Sequence, residues 1–239
     1  MLYAQGDGCL YSLLGRASLK TILHHAIVMK ECTTYKQQLR PAILEEAQRS
    51  FAQYGIKAVK MDDIARNLSI SKRTVYELYA TKEDLLCEVV EARQKEHERH
   101  MEMMVQQSDN TMDVLTGFLS MQLEDAANTN FNFFKDMVKY PKVAHLVSAY
   151  HERQRAASAV FFAKGVEEGF FLPTVDYKIF NFIGSGVIDM LCENDRYEGL
   201  TFSDLFYNYM YVIIRGICTP KGLERIDRFM KEKEVGKEK

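Results

Sequence analysis

Residues 59–86 read VKMDDIARNLSISKRTVYELYATKEDLL, and this stretch decides the fold. Two apolar stripes at helical spacing flank a short interruption at residues 69–71; they are Ile64, Ala65 and Leu68, then Val75, Leu78 and Tyr79. Apolar side chains that recur every three or four residues mark one face of an α-helix. The stretch therefore predicts two short helices that share one small core across a tight turn.

The second of these helices carries polar, mostly basic side chains on its outer face: Lys72, Arg73, Tyr76 and Glu77, with Thr74 on the flank. The major groove of DNA admits one α-helix, whose N-terminal residues read the base edges. Arg73 suits two parallel hydrogen bonds to guanine O6 and N7, Lys72 suits a base or a phosphate, and Tyr76 suits a phosphate oxygen. This face predicts a helix-turn-helix that binds DNA.

A long helix is predicted to follow at once, from Thr81 to about Gln107. Thr81 and Asp84 form a pattern close to the capping box that starts many helices. Lys82 lies at the same N-terminus, where free backbone N–H groups already attract phosphate. Lys82 is therefore predicted to contact the DNA backbone.

In order and spacing, this segment resembles the DNA-binding segment of the TetR family of bacterial repressors. The matching positions are Asp63-Ile64-Ala65, Ser71–Tyr76, Tyr79 and Lys82–Leu86, with Phe51 and Gly55 closing a predicted first helix at Tyr35–Tyr54. The resemblance covers roughly residues 38–86 and implies a DNA-binding head. The residues expected at the DNA are Lys60, Met61, Ser71, Lys72, Arg73, Thr74, Tyr76 and Lys82.

The chain departs from the family pattern at three places. Lys60-Met61 stand where members usually have Thr or Ser as a helix cap and phosphate ligand, and Ser69 stands where the turn often carries glycine. Glu77-Leu78 stand where many members have Tyr-His. A carboxylate that faces DNA is unfavourable unless it accepts a hydrogen bond from a cytosine N4 group. Glu77 is therefore interpreted either as a specificity element or as a solvated side chain.

Charge is distributed unevenly along the chain of 239 residues. The net charge is −2 at pH 7, yet residues 36–82 hold nine Lys or Arg against five Asp or Glu, which leaves +4 there and −6 elsewhere. A basic patch on an acidic body is the expected footprint of a DNA-binding regulator. With 47% apolar and 27% charged residues, the composition predicts a soluble, helix-rich globular protein.

No pattern points to catalysis, a cofactor or a metal. The sequence has no G-x-S-x-G and no phosphate-binding glycine loop, and the pair His97 and His100 has no third ligand nearby in sequence. Five scattered cysteines without C-x-x-C argue against zinc and favour a reducing cytoplasm. Residues 1–28 fit neither a transmembrane span nor a clean signal peptide. We predict no enzyme activity, no cofactor and no membrane partner.

The predicted fold class is all-α, with an N-terminal three-helix helix-turn-helix DNA-binding domain followed by a helical ligand-binding and dimerisation domain. The expected divisions are an upstream extension at 1–28 before a natural start at Met29, the DNA-binding domain at 29–82, the ligand-binding and dimerisation domain at 83–220 and a charged tail at 221–239. Body helices are predicted at Met112–Asn128, Asn130–Val138, Lys142–Gly169, Val175–Cys192 and Ser203–Cys218.

The body is rich in aromatic residues and methionines, most of which must pack in its core. The resemblance implies that a subset lines a ligand cavity, and the candidates are Phe118, Met121, Phe134, Met137, Tyr150 and Phe161. The last two long helices carry more apolar surface than one body needs to bury, and the resemblance implies that they pair between subunits. The candidate dimer contacts are Ile179, Ile183, Val187, Phe206, Met210 and Ile213.

The expected function is a dimeric DNA-binding transcriptional regulator, a repressor released from a palindromic operator by a small apolar or aromatic ligand. Its expected partners are double-stranded operator DNA, a second copy of the chain and a small-molecule effector. A first alternative is a helical ligand-binding or scaffold protein with a degenerate head, which Lys60-Met61 and Glu77-Leu78 favour. A second is an activator or another regulator that needs no ligand.

Overall fold

The computed structural model describes residues 38–184 and 201–237, and within these ranges the predicted all-α fold is confirmed. The helices are α1 (38–54), α2 (Met61–Asn67), α3 (Lys72–Leu78), α4 (Lys82–Gln107), α5 (Thr111–Asn128), α6 (Phe131–Met137), α7 (Pro141–Glu167), α8 (177–184), α9 (Phe202–Ile217) and α10 (Pro220–Lys237). Most predicted bounds agree to within two residues. The second half of the predicted helix Val175–Cys192 and the expected extension at 1–28 lie outside the described residues.

The head is built on the predicted apolar spacing. Ile43 and Phe51 of α1 are fully buried, as are Ile64 of α2 and Val75 of α3. The helices α2 and α3 contact each other directly. Gly55 follows α1 with φ +82°, a left-handed conformation that favours glycine, and its N–H donates to the Phe51 carbonyl at 3.0 Å.

The turn of the helix-turn-helix uses a serine in a conformation that suits glycine. Ser69 has φ +54°, the only positive φ of a non-glycine residue in the described part of the chain. Two residues later, Ser71 caps α3, and its hydroxyl accepts a hydrogen bond from the Thr74 N–H at 3.1 Å. The serine at 69 therefore keeps the tight turn despite the steric cost of its Cβ.

The start of α4 has the predicted capping box. The Thr81 hydroxyl accepts from the Asp84 N–H at 3.1 Å, while the Asp84 carboxylate accepts from the Thr81 N–H at 3.1 Å. Downstream, Leu85, Leu86 and Val89 are fully buried. The long helix continues into the body, where it contacts α5 and α7.

One apolar cluster forms the core of the body, with residues from α5, α7, α9, α10 and the segment after α7. Within it, Phe171 lies so close to Gly165 that a Cβ at that position would meet the ring at 2.2 Å. Phe171 also forms an isolated antiparallel bridge with Cys218. The bridge ties the end of α7 to the junction between α9 and α10.

None of the helices at 38–184 or 201–237 is both long enough and apolar enough to cross a membrane. The predicted domain boundaries at 29–82, 83–220 and 221–239 remain predictions.

Candidate DNA-binding site

The helix α3 presents its polar side chains to solvent, on the face that the sequence predicted. The side chain of Arg73 is 88% exposed, and those of Lys72 and Tyr76 are also exposed. Val75, on the opposite side of the helix, is fully buried. The apolar face of α3 is thus anchored in the head, and its basic face is available to a partner.

Both basic residues of this face are held by carboxylates. The Lys72 ammonium lies 2.7 Å from Asp62 Oδ2 on α2 and 5.7 Å from the centre of the Tyr76 ring. The Arg73 Nε donates to Glu77 Oε1 at 2.8 Å. These hydrogen bonds raise the pKa of Lys72 and of Arg73, so both side chains stay cationic. The outer face of α3 is therefore a set of oriented ion pairs.

Neither pair was predicted, although the sequence itself signals one of them. Arg73 and Glu77 are four residues apart on one helix, a spacing that itself signals a side-chain pair. Asp62 and Lys72 lie on different helices, so their contact depends on the packing of α2 against α3. Glu77, interpreted as a specificity element or a solvated side chain, lies beside Arg73 and is 32% exposed.

The remaining predicted contacts divide by burial. Ser71 and Thr74 share a hydroxyl–hydroxyl hydrogen bond of 2.8 Å at the exposed start of α3. Lys60 is exposed at the N-cap of α2, where it makes no side-chain cap. Met61 is only 4% exposed, because it is a core residue of the head. Its side chain cannot serve as the expected DNA contact, and only its backbone remains.

Lys82 points into the protein. Its ammonium donates to the backbone carbonyls of Ile56 and Val59 in the connection between α1 and α2, and it lies 5.7 Å from the centre of the Phe51 ring. Burial lowers the pKa of Lys82, against smaller opposing effects of Asp136 and Asp63. The predicted phosphate contact would require these bonds to break.

Residues 43–89 match the sequence model of the bacterial regulatory proteins of the tetR family. This range contains most of the first helix, the helix-turn-helix and the start of α4. These residues form a TetR-family DNA-binding domain.

A known regulator is similar to part of the chain. An uncharacterised helix-turn-helix transcriptional regulator of Bacillus subtilis, YhgD, is 37% identical over 71 residues, which are 30% of this chain and 34% of that protein. The match thus spans about a third of the length of this relative. Enzyme activity is not a property of the TetR family.

Solved structures share the fold over most of the chain. A TetR-family regulator from Agrobacterium tumefaciens has a TM-score of 0.61 at 16% identity and covers 77% of this chain and 100% of its own. A protein described as a transcriptional regulator from Saccharomonospora viridis, in complex with choline, has a TM-score of 0.61 at 21% identity and covers 77% and 99%. A TetR-family regulator from Marinobacter aquaeolei has a TM-score of 0.60 at 19% identity and covers 81% and 97%. At these identities the likeness shows the fold alone.

In the body, the structure brings together two of the predicted ligand residues around a histidine. His97 Nδ1 lies 2.8 Å from the Tyr150 hydroxyl, and the His97 ring meets Phe118 edge-on at 6.0 Å. Nearby on α4, Arg93 donates to Asp125 at 2.7 Å and lies 4.9 Å from the centre of the Phe133 ring. Part of the charged run at 91–99 therefore faces the interior of the body.

The other predicted ligand residues lie apart from this cluster. Phe161 packs against Phe162 and Phe171 in the core, and Phe134 stacks edge-on against Phe133. Met121 and Met137 are partly buried on α5 and α6. A groove of about 240 Å³ between α4 and α7 is lined by Glu91, Gln94, Lys95, Glu98, Leu146 and Arg153. Its lining is mostly charged and includes none of the predicted residues.

The predicted dimer contacts also differ in how exposed they are. Ile179 and Ile183 on α8 are more than half exposed. Phe206 is only 7% exposed, because it packs inside the subunit, and this corrects its assignment to the interface. Met210 and Ile213 pack against the body core, and Val187 lies outside the described residues. The exposed apolar surface also includes Phe182 and Val212.

We predict that His97 makes the protein less stable in acid. Burial lowers the pKa of His97 from its ordinary value of 6.5, so below pH 6.5 the unfolded chain binds more protons than the folded chain. The stability that neutral His97 contributes is therefore lost as the pH falls below 6.5. Substitution His97→Gln, which removes the titrating group, is expected to reduce the loss of melting temperature between pH 7 and pH 5.

The control for this measurement is His145→Gln, since His145 is an exposed histidine on α7. That variant should keep the wild-type dependence on pH. Equal acid sensitivity of the wild type and His97→Gln would show that His97 does not contribute.

Proposed function

We propose that this protein is a dimeric, cytoplasmic transcriptional repressor that leaves a palindromic operator when a small apolar or aromatic ligand binds its body. The observation that carries the proposal is the exposed basic face of α3, within a domain that matches the TetR DNA-binding family. Basic side chains on an exposed helix neutralise phosphates and reach base edges in the major groove. The match to the DNA-binding domain of this family supports the regulatory role.

Dimerisation is supported by apolar surface on α8 and α9. Ile179, Phe182 and Ile183 recur at helical spacing on α8 and are more than half exposed, and Val212 on α9 is 70% exposed. Tyr209 of α9 donates to the Gly184 carbonyl at 3.4 Å, so these two helices lie side by side. A second copy of the same face would bury this surface, and two heads would then reach two operator half-sites.

The effector is proposed to bind near the cluster of His97, Phe118 and Tyr150 on α4, α5 and α7. The rings of Phe118 and Tyr150 provide an apolar surface, and His97 adds a polar group beside it. This combination suits an aromatic or otherwise apolar ligand. The relative from Saccharomonospora viridis holds choline, which supports a ligand-responsive body in this fold. Because His97 belongs to α4, a ligand there would act on the helix that begins at the head.

The second candidate is a helical ligand-binding protein with a degenerate head. The absence of a side-chain cap at Lys60 and the pairing of Lys72 and Arg73 with carboxylates favour it. A regulator that needs no ligand is the third candidate. DNA binding separates the second candidate from the other two.

Electrophoretic mobility shift on the DNA upstream of the protein's own gene tests the proposal. We expect a retarded band that survives an excess of unrelated duplex, with affinity that falls steeply as salt rises because phosphate counterions are released. Lys72→Ala should weaken binding, whereas Lys95→Ala, which alters an exposed lysine on α4, should not. A wild-type protein that retards no DNA at low salt would favour the degenerate head.

Analytical ultracentrifugation tests the dimer. Val212→Asp places a charge in the proposed interface and should convert a micromolar dimer to monomer, because a buried unpaired carboxylate is costly. Val105→Asp makes the same change at a valine on α4 that is 57% exposed, and it should leave the dimer intact. A wild-type protein that sediments as a monomer at micromolar concentration would contradict the proposed dimer.

A further inference from the structure

We propose that Glu77 is a positioning residue for specificity, which holds Arg73 in the orientation that reads one base pair of the operator. The inference rests on the proposed DNA-binding function and adds a residue and a role to it. Its starting observation is the 2.8 Å hydrogen bond from Arg73 Nε to Glu77 Oε1 on the exposed face of α3.

The bond to Glu77 leaves the two terminal nitrogens of the Arg73 guanidinium available to contact a base. A guanidinium has five N–H groups, of which one is on Nε and four are on the terminal nitrogens Nη1 and Nη2. The bond to Glu77 uses the Nε side. The two terminal nitrogens can then donate in parallel to O6 and N7 of one guanine, the contact that distinguishes this base in the major groove.

The pair also fixes a flexible side chain before DNA arrives. Arg73 is 88% exposed, so little packing restrains it. An exposed arginine loses rotamer freedom when it binds, and a side chain already held in place loses less. Glu77 is 32% exposed and thus the more restrained partner, so it is suited to act as the support.

Helix stability does not explain why a glutamate stands here. Exposed ion pairs contribute little to stability, and the order with the basic residue before the acidic one is the weaker arrangement on a helix. A carboxylate near the end of a helix is disfavoured by the helix dipole. It also repels the phosphates of DNA. A supporting role for Arg73 compensates for these costs.

The second carboxylate on the same surface provides a matched control. Asp62 pairs with Lys72 at 2.7 Å, and its removal would change the net charge by the same amount as the removal of Glu77. An ammonium is a compact charge with rotatable donors, however, whereas a guanidinium reads a base through a planar fork. Orientation therefore matters for Arg73 and much less for Lys72.

The experiment begins with a pool of duplexes that contain a randomised segment, from which the wild-type full-length protein selects its preferred site. Dissociation constants are then measured for this site and for each of its single base-pair variants. The proteins compared are wild type, Glu77→Gln, Glu77→Asp and Asp62→Asn. Thermal melting of each variant confirms that it is folded.

We expect Glu77→Gln to lose about tenfold of the discrimination at one G·C pair, within the range for one bidentate contact. Its binding to unrelated DNA should stay equal or become tighter, since a negative charge is gone. Glu77→Asp keeps the charge but shortens the side chain, so it should lose the same discrimination at the G·C pair. Its binding to unrelated DNA should not become tighter. Asp62→Asn should bind all DNA somewhat more tightly and keep wild-type discrimination at every position.

Arg73→Ala completes the test, because discrimination at that pair should be equally low in Arg73→Ala and in the double variant Arg73→Ala/Glu77→Gln. Wild-type discrimination in both Glu77 variants, or an equal loss in Asp62→Asn, would overturn the proposal while DNA binding itself stands. A wild-type protein that selects no sequence from the pool would instead overturn the proposed function, and this inference with it.

Discussion

The head depends on a short connection whose backbone is hydrogen-bonded by other helices. Residues 55–60 lie between α1 and α2 outside any helix. The Lys82 ammonium of α4 donates hydrogen bonds to the backbone carbonyls of Ile56 and Val59. The Asp136 carboxylate of α6 accepts a hydrogen bond from the Lys57 N–H at 3.0 Å. Buried backbone groups that lack a partner cost free energy, so these side chains complete the structure of the connection.

The same junction extends to the end of α1 and the start of α4. Asn130 donates from its backbone to the Ala52 carbonyl at 2.6 Å and from its side chain to the Gln53 carbonyl at 3.2 Å. Lys142, near the start of α7, donates to Glu83 at 2.9 Å and to Asp84 at 2.6 Å. A displacement of α4 or α6 must therefore break these bonds or carry the helix-turn-helix with it. The proposed effector cluster lies on α4, so this junction offers a physical route from ligand to head.

Features that depend on residues close in sequence were predictable, whereas contacts between residues distant in sequence were not. The capping box of Thr81 and Asp84 and the spacing of Ile64 and Val75 depend on neighbours a few residues away, and both were confirmed. Lys82 looked like a phosphate ligand because a helix N-terminus favours one, yet its partners lie 23 and 26 residues earlier in the chain. Sequence reasoning had no access to those carbonyls.

In the body, the sequence likewise does not show which apolar residues are buried and which are exposed. Helical spacing marks Phe206 and Ile179 alike as apolar, but one lies in the core and the other on the surface. Only the packing of α9 against α5 and α10 separates the two cases. The pairing of His97 with Tyr150 is likewise a contact between α4 and α7 across 53 residues. Which aromatic residues meet is therefore a property of the fold.

The amide hydrogen exchange of Lys57 tests most directly whether the body holds the head through this connection. The bond to Asp136 predicts slow exchange of the Lys57 N–H in the wild-type protein, although it lies in no helix, and loss of that protection in Asp136→Ala. Exchange of this amide at the rate of an exposed loop in the wild type, or protection that survives in Asp136→Ala, would contradict the account.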